Sequence, residues 1–194
     1  MRQRIAHLTS SLLNPFLVCF VTIIFLVAHT TNSVADAFKW AAIAMVFSII
    51  PVFTFIVYQV RRKKLESIFP EGQGQRKMIY VLASALAAAG CGVMWYFGAP
   101  RLLAVSFIAG LLAVVLFMII NFYWKISLHT AFVSAAAVVL TGIFGIKAAW
   151  VFILLPLMAW SRLELKMHSA AQVLAGAVLA AGIVTVVFWG FGVI

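Results

Sequence analysis

Residues 129–160 read HTAFVSAAAVVLTGIFGIKAAWVFILLPLMAW, 32 consecutive positions whose only Lys, Arg, Asp or Glu is Lys147. One membrane span needs about 20 apolar residues, so this stretch is too long for a single comfortable crossing and short for two. Gly142, Gly145 and Lys147 fall near its centre, which predicts a tight turn between two short helices, 129–145 and 147–160. A re-entrant hairpin that starts and ends on one face is the alternative. Outward from this stretch, the strongest apolar runs are 12–29, 38–60, 78–98, 101–122 and 169–192, none with a charge in its middle. Each is long enough to cross as a helix. Continuous rather than alternating apolar runs argue against a strand barrel. The expected fold class is all-α integral membrane, with six to seven transmembrane helices in one bundle and residues 1–194 forming a single membrane domain.

Composition agrees. The chain is 66% apolar and 9% charged, whereas soluble domains run near half apolar and a quarter charged. Charge placement then decides between counts. With seven spans, one face carries Arg2, Arg4, Arg61, Arg62, Lys63, Lys64, Arg76, Lys77, Lys125, Arg162 and Lys166, and the other only Lys39, Arg101 and Lys147, a split of 11 to 3. Reading 129–160 as one span moves Arg162 and Lys166 across and weakens the split to 9 and 5. The positive-inside rule therefore favours seven spans with the basic face in the cytoplasm.

Arg2 and Arg4 before an apolar run, with Ala35-Asp36-Ala37 beyond it, resemble a secretory signal. The run is longer than a signal core, so an uncleaved first span is expected. Cys19 and Cys91 lie inside apolar runs without CxxC spacing and read as packing residues. In the Arg61–Lys77 loop, four consecutive cations precede Pro70, Gly72 and Gly74; the plain reading is a stop-transfer and lipid-headgroup anchor. Nucleic-acid binding is not expected from cations confined to membrane boundaries.

Two polar stretches on the basic face stand out. Trp124-Lys125-Ile126-Ser127-Leu128-His129 leads into one span, and Ser161-Arg162-Leu163-Glu164-Leu165-Lys166-Met167-His168 into another, with Gln172 one turn further on. Each places a histidine at a helix N-terminus, where unpaired amides and the helix dipole favour anions. Ser127 and Ser169 add hydroxyls, and Arg162 can grip phosphate with two parallel N–H bonds. The competing reading makes these residues ordinary boundary anchors. No cluster of His, Cys, Asp and Glu has metal-ligand spacing, so no metal and no cofactor are expected. No acidic residue lies within a span, which argues against an ion path.

The pattern Ser161-Arg162-x5-His168-x3-Gln172 resembles the Ser-Arg-x5-His-x3-Asp motif of the type 2 phosphatidic acid phosphatase superfamily, which is related to the vanadium haloperoxidases. Ile126-Ser127-Leu128-His129 keeps the serine and histidine of that family's Pro-Ser-Gly-His motif. The basic loop with Glu66, Pro70 and Arg76, after a span containing Pro51, resembles the charged loop of divergent prokaryotic members. The chain departs from the family pattern at the final acid of the first motif, at the proline and glycine of the second, and in lacking an intact Lys-x6-Arg-Pro.

The resemblance implies a lipid phosphate or prenyl diphosphate phosphatase in a prokaryotic cell membrane. His168 would be the nucleophile, His129 the general acid, Gln172 the partner of His168, and Arg162, Ser127, Lys125 and Arg76 the phosphate holders. Gln172 accepts a hydrogen bond but supplies no negative charge. The alternative is therefore a catalytically degenerate member that binds lipid phosphate, forms homo-oligomers, or serves as a subunit of a larger membrane assembly. The small-residue faces at 87–90 and 175–181 suit the close helix packing that either reading needs.

Overall fold

The computed structural model describes every residue except Glu71 of the basic loop, with Gln73 described by its backbone alone. The chain is helical: α1 (Arg2–Leu12), α2 (Pro15–Thr30), α3 (Val34–Ser48), α4 (Ile50–Arg61), α5 (Gln73–Tyr96), α6 (Arg101–Asn121), α7 (Leu128–Phe144), a 3-10 segment (Gly145–Ile153), α8 (Leu154–Glu164) and α9 (Ala170–Gly190). No strand occurs among the described residues. Five helical runs are long and apolar enough to cross a bilayer: Val34–Arg61, Gly74–Tyr96, Arg101–Asn121, Leu128–Glu164 and Ala170–Gly190. Helices α1 and α2, bent by 44° at their junction, supply a sixth if counted together. The all-α membrane fold expected from sequence is the fold observed.

Helix boundaries follow local chemistry. Asn14 caps α2 by accepting from the Leu17 N–H at 3.0 Å, and Pro15 fills the first turn, where no amide hydrogen is needed. Ser33 caps α3 by accepting from the Asp36 N–H. Pro51 sits in the first turn of α4, so α3 passes into α4 without a loop. Helix α5 ends in a Schellman turn: Ala99 N–H reaches Met94 O at 2.8 Å and Gly98 N–H reaches Trp95 O at 3.2 Å. Gly98 adopts φ 65° there, which costs glycine least.

The chain groups into two compact units, Leu26–Trp124 and the combination of Met1–Phe25 with Lys125–Ile194. In the first unit α5 packs on α6 and α3. The approach is close at Gly90, where a Cβ would stand 2.7 Å from the Phe107 ring and 2.9 Å from Phe47 Cβ. In the second unit α7 packs on α9, and α1 on α8.

The run Leu128–Glu164 is 37 residues long and would extend about 55 Å if straight. It is not straight. Ser127 N–H donates to Gln172 O at 3.2 Å, and the residues from Glu164 to Gln172 can bridge at most about 28 Å. At the other end, a Cβ on Gly142 would lie 3.1 Å from the Ile194 side chain. Helices α7 and α9 are therefore parallel neighbours, and the 3-10 segment with α8 is the return leg. The reversal begins at Gly145, with φ 67°, where the sequence predicts it. Counting the two legs separately gives six passes without the α1–α2 pair and seven with it.

The return leg uses its 3-10 geometry to pack. A 3-10 helix stacks side chains three apart, and Ala148, Val151 and Leu154 gather against Ala137 and Leu140 of α7. The α7–α9 contact rests on small and hydroxylated residues. Thr130 Oγ1 donates to Val173 O at 3.1 Å, and Ser134 Oγ, one turn on, donates to Ala177 O at 2.8 Å. A Cβ on Gly176 would stand 2.5 Å from Ser127 O, a backbone atom that has nowhere to retreat. Gly182 of the same helix has nothing within 4 Å. Gly176→Ala should therefore lower stability by about 1–3 kcal/mol through overpacking, while Gly182→Ala should be neutral or gain up to about 1 kcal/mol in helix propensity. Thermal unfolding of the two variants in detergent checks the contrast; equal melting temperatures would contradict the close approach.

Candidate functional site

The two singled-out stretches meet at the N-termini of α7 and α9. Ser127 caps α7, its Oγ accepting from Thr130 N–H at 3.4 Å. Ser169 caps α9, its Oγ accepting from Gln172 N–H at 3.3 Å. The Ser127 N–H to Gln172 O bond joins the two first turns directly. Thr130 Oγ1 adds a second tie, to Val173 O. His129, at the second position of α7, and His168, just before the α9 cap, are thus carried by one junction. Both are buried, at 4% and 7% exposure.

Gln172 holds the most informative geometry. Its Oε1 lies 3.1 Å from the backbone nitrogen of Ser169 and 3.1 Å from His168 Nδ1. The first of these is a pure donor, so the atom facing it must be the amide oxygen. That oxygen then requires His168 Nδ1 to carry its hydrogen, which leaves Nε2 with the lone pair in the neutral ring. The amide is not loose, because turning it over would break both bonds. Ser169 and Gln172 also form a reciprocal capping box, so the same glutamine terminates the helix and orients the imidazole.

Arg162 lies in α8, 5% exposed. Its Nη1 donates to Ser10 Oγ of α1 at 2.8 Å, and the neighbouring Ser161 Oγ donates to Ala6 O at 2.7 Å. Helix α8 ends in a Schellman turn, with Met167 N–H on Arg162 O at 3.2 Å and Lys166 N–H on Leu163 O at 3.0 Å. His168 therefore follows directly on a turn anchored at Arg162. Lys125 is half-buried in the segment leading to α7. Arg76 belongs to the other compact unit, where its Nε donates to Pro70 O at 2.8 Å.

The structure thus brings His129, Ser127, His168 and Gln172 to one junction and ties the chain at Arg162 to it through the α8 turn. Sequence reasoning did not anticipate two contributors, Thr130 and Ser10 of α1, whereas Gly176 falls in the small-residue face 175–181 expected to pack closely. The spacing of Thr130 and Ser134, one helical turn apart opposite a small-residue stretch, is the signal that marks the α7–α9 face. Nothing local to Ser10 announces its bond to Arg162. Among the described residues no group of three His, Cys, Asp or Glu could hold a metal ion. Comparison with family models, curated proteins and solved structures yields no match.

Nitrogen-15 NMR of His168 should report the Nδ1-protonated tautomer in the wild type. Gln172→Leu should remove that bias, and Ser169→Ala should keep it while costing about 1 kcal/mol of stability through loss of the cap. An Nε2-protonated ring in the wild type would contradict the assigned hydrogen bond.

Proposed function

We propose that the protein is an integral-membrane phosphatase acting on a phosphate or diphosphate ester borne by a lipid tail, such as phosphatidic acid or a prenyl diphosphate. The observation that supports it is the Ser127 N–H to Gln172 O bond of 3.2 Å, which carries two histidines from distant sequence at the same end of parallel helices. In this reading His168 Nε2 attacks phosphorus while the bond from phosphorus to the leaving oxygen breaks. His129 gives that oxygen its proton. Water then attacks the phosphohistidine, passes a proton to His129 and releases inorganic phosphate.

Arg162, Lys125 and Ser127 are the phosphate-holding set, because the phosphoryl transition state spreads charge over its outer oxygens and fixed cations stabilise it most. The apolar helices provide walls for a lipid chain. No metal or cofactor is required. The 11 to 3 split of cations supports placing the site at the cytoplasmic face, and the loop resemblance supports a prokaryotic cell membrane.

Two observations favour a second reading, in which the protein binds lipid phosphate without turnover or acts as a subunit of a membrane assembly. Arg162 Nη1 is engaged by Ser10, and Gln172 supplies geometry to His168 without charge.

Phosphate release from a panel of lipid phosphates separates the readings. His168→Ala should abolish release, and Gln172→Asp should raise it at least about tenfold, a fraction of the ~10⁴ that loss of the orienting carboxylate costs a serine-protease triad. Release unaffected by His168→Ala would end the phosphohistidine mechanism. Lipid phosphate bound by wild type and by Gln172→Asp, with neither releasing phosphate, would establish the second reading.

A further inference from the structure

The side of Arg162 that meets Ser10 is closed to any phosphate while α1 is in place. Arg162 is buried, with Nη1 on Ser10 Oγ at 2.8 Å. Around that bond Ser161 and Ala6 are fully covered, and Ser10 and Thr9 nearly so. A phosphate oxygen can take the place of the Ser10 hydroxyl on Nη1 only if α1 moves.

Helix α1 is the element least firmly held there. Helices α7 and α9 are joined by the Ser127 N–H to Gln172 O bond and by the hydroxyls of Thr130 and Ser134 on backbone oxygens. Helix α1 packs on α8, and its buried residues are Ala6, Thr9 and Ser10. Small side chains release little apolar surface from water. Two side-chain bonds complete the contact, Arg162 Nη1 to Ser10 Oγ and Ser161 Oγ to Ala6 O. The larger apolar residues Ile5, Leu8 and Leu12 are exposed, and their spacing puts them on a separate stripe of the helix. Lifting α1 therefore uncovers no large apolar side chain of its own, the usual mark of a segment that opens at low cost.

The junction with α2 is built as a pivot. Pro15 has no N–H to continue the ladder of α1. Asn14 closes each helix separately, its Nδ2 donating to Ser11 O at 2.6 Å and its Oδ1 accepting from Leu17 N–H at 3.0 Å. The axes are already bent by 44° at this point. Changing that angle need not unwind either helix, and hinges are commonly a few residues at element ends.

We propose that α1 is a lid over Arg162, latched by the Ser10 hydroxyl and released by the phosphate group of the ligand. The inference rests on the phosphate-holding role given to Arg162 above. A guanidinium binds an ionised phosphate more strongly than a neutral hydroxyl. Phosphate binds the lifted form and draws the population toward it. The latch lowers apparent affinity in proportion to the fraction lifted, and a ligand without an ionised phosphate leaves α1 on α8.

Full-length protein in phosphatidylcholine nanodiscs, carrying Cys19→Ala, Cys91→Ala and Thr9→Cys, reports the lid through the rate at which a water-soluble maleimide labels the introduced thiol. Inorganic phosphate is the probe, because it presents the group Arg162 would hold and needs no turnover. Saturating phosphate should raise the labelling rate several-fold, and chloride at equal ionic strength should not. Ser11→Cys in place of Thr9→Cys, on the exposed side of α1, should label equally with and without phosphate. Adding Ser10→Ala should speed labelling without phosphate and lower the half-saturating phosphate concentration several-fold. Ser161→Ala, which cuts the bond to Ala6 O, serves the same purpose should Ser10→Ala not fold. Labelling that phosphate leaves unchanged or slows would overturn the lid, as would a phosphate affinity that does not tighten when the latch is cut. Phosphate-driven labelling with no release from any lipid phosphate would keep the lid and end the phosphatase. His168-dependent release beside unresponsive labelling would do the reverse.

Discussion

The contact between the first turns of α7 and α9 constrains everything around the candidate site. Ser127 N–H is one of the amides a helix start leaves without an intrahelical partner, and here it is satisfied by Gln172 O of the neighbouring helix. Because each partner lies in a first turn, the bond fixes the relative height of two helices along their axes. Thr130 and Ser134 then repeat the linkage at one-turn intervals, with Val173 and Ala177 as acceptors. The arrangement requires the helices to lie unusually close at Gly176. Parallel helices joined in sequence need a return leg, and that need accounts for the folding back of Leu128–Glu164.

The spans were largely legible in the sequence because bilayer crossing demands long continuous apolar runs, and few other structures do. The expected runs 101–122 and 169–192 end within about two residues of α6 and α9. That tolerance is usual for helix ends. The reversal near Gly145 was legible too, since glycine marks the one place where φ is positive in that stretch. The 3-10 character of 145–153 was not. Its contacting residues, Ala148, Val151 and Leu154, recur every third position for too few turns to stand out from a helical repeat. Helix α1 was also missed as a helix, for its mixed composition lacks the apolar run that betrays a span. Its buried face, Ala6, Thr9 and Ser10, is small and polar.

The site divides the same way. The histidines' shared junction was implied by where their motifs enter the membrane, and the His168–Gln172 bond by their four-residue separation. The hidden part is the second occupation of the same residues. Ser127 and Ser169 are helix caps, and Gln172 completes a capping box. The pattern Ser-x-x-Gln carries that information openly, yet it coincides in register with a pattern that carries a chemical meaning. Arg162 shows a different limit. Its partner Ser10 is 152 positions away, and no local rule reaches across such a distance.

Among the described residues, the two non-glycine positions with positive φ are Lys63, at 57°, and Lys166, at 54°. Each closes a helix through a Schellman turn, Lys63 that of α4 and Lys166 that of α8, two residues before His168. Glycine is the residue that conformation favours there, and a residue with a Cβ gives up about 1 kcal/mol or somewhat more. A cation at a helix C-terminus gains about 0.3–1 kcal/mol from the dipole, and a lysine near an anionic membrane surface gains about 1 kcal/mol. The sum matches the strain. Both lysines are exposed, as headgroup contact requires. Charge at a helix C-terminus thus offsets backbone preference at both turns, one of which sets the approach to His168. At Lys166 the residue that carries the charge is also the residue that turns the chain toward His168.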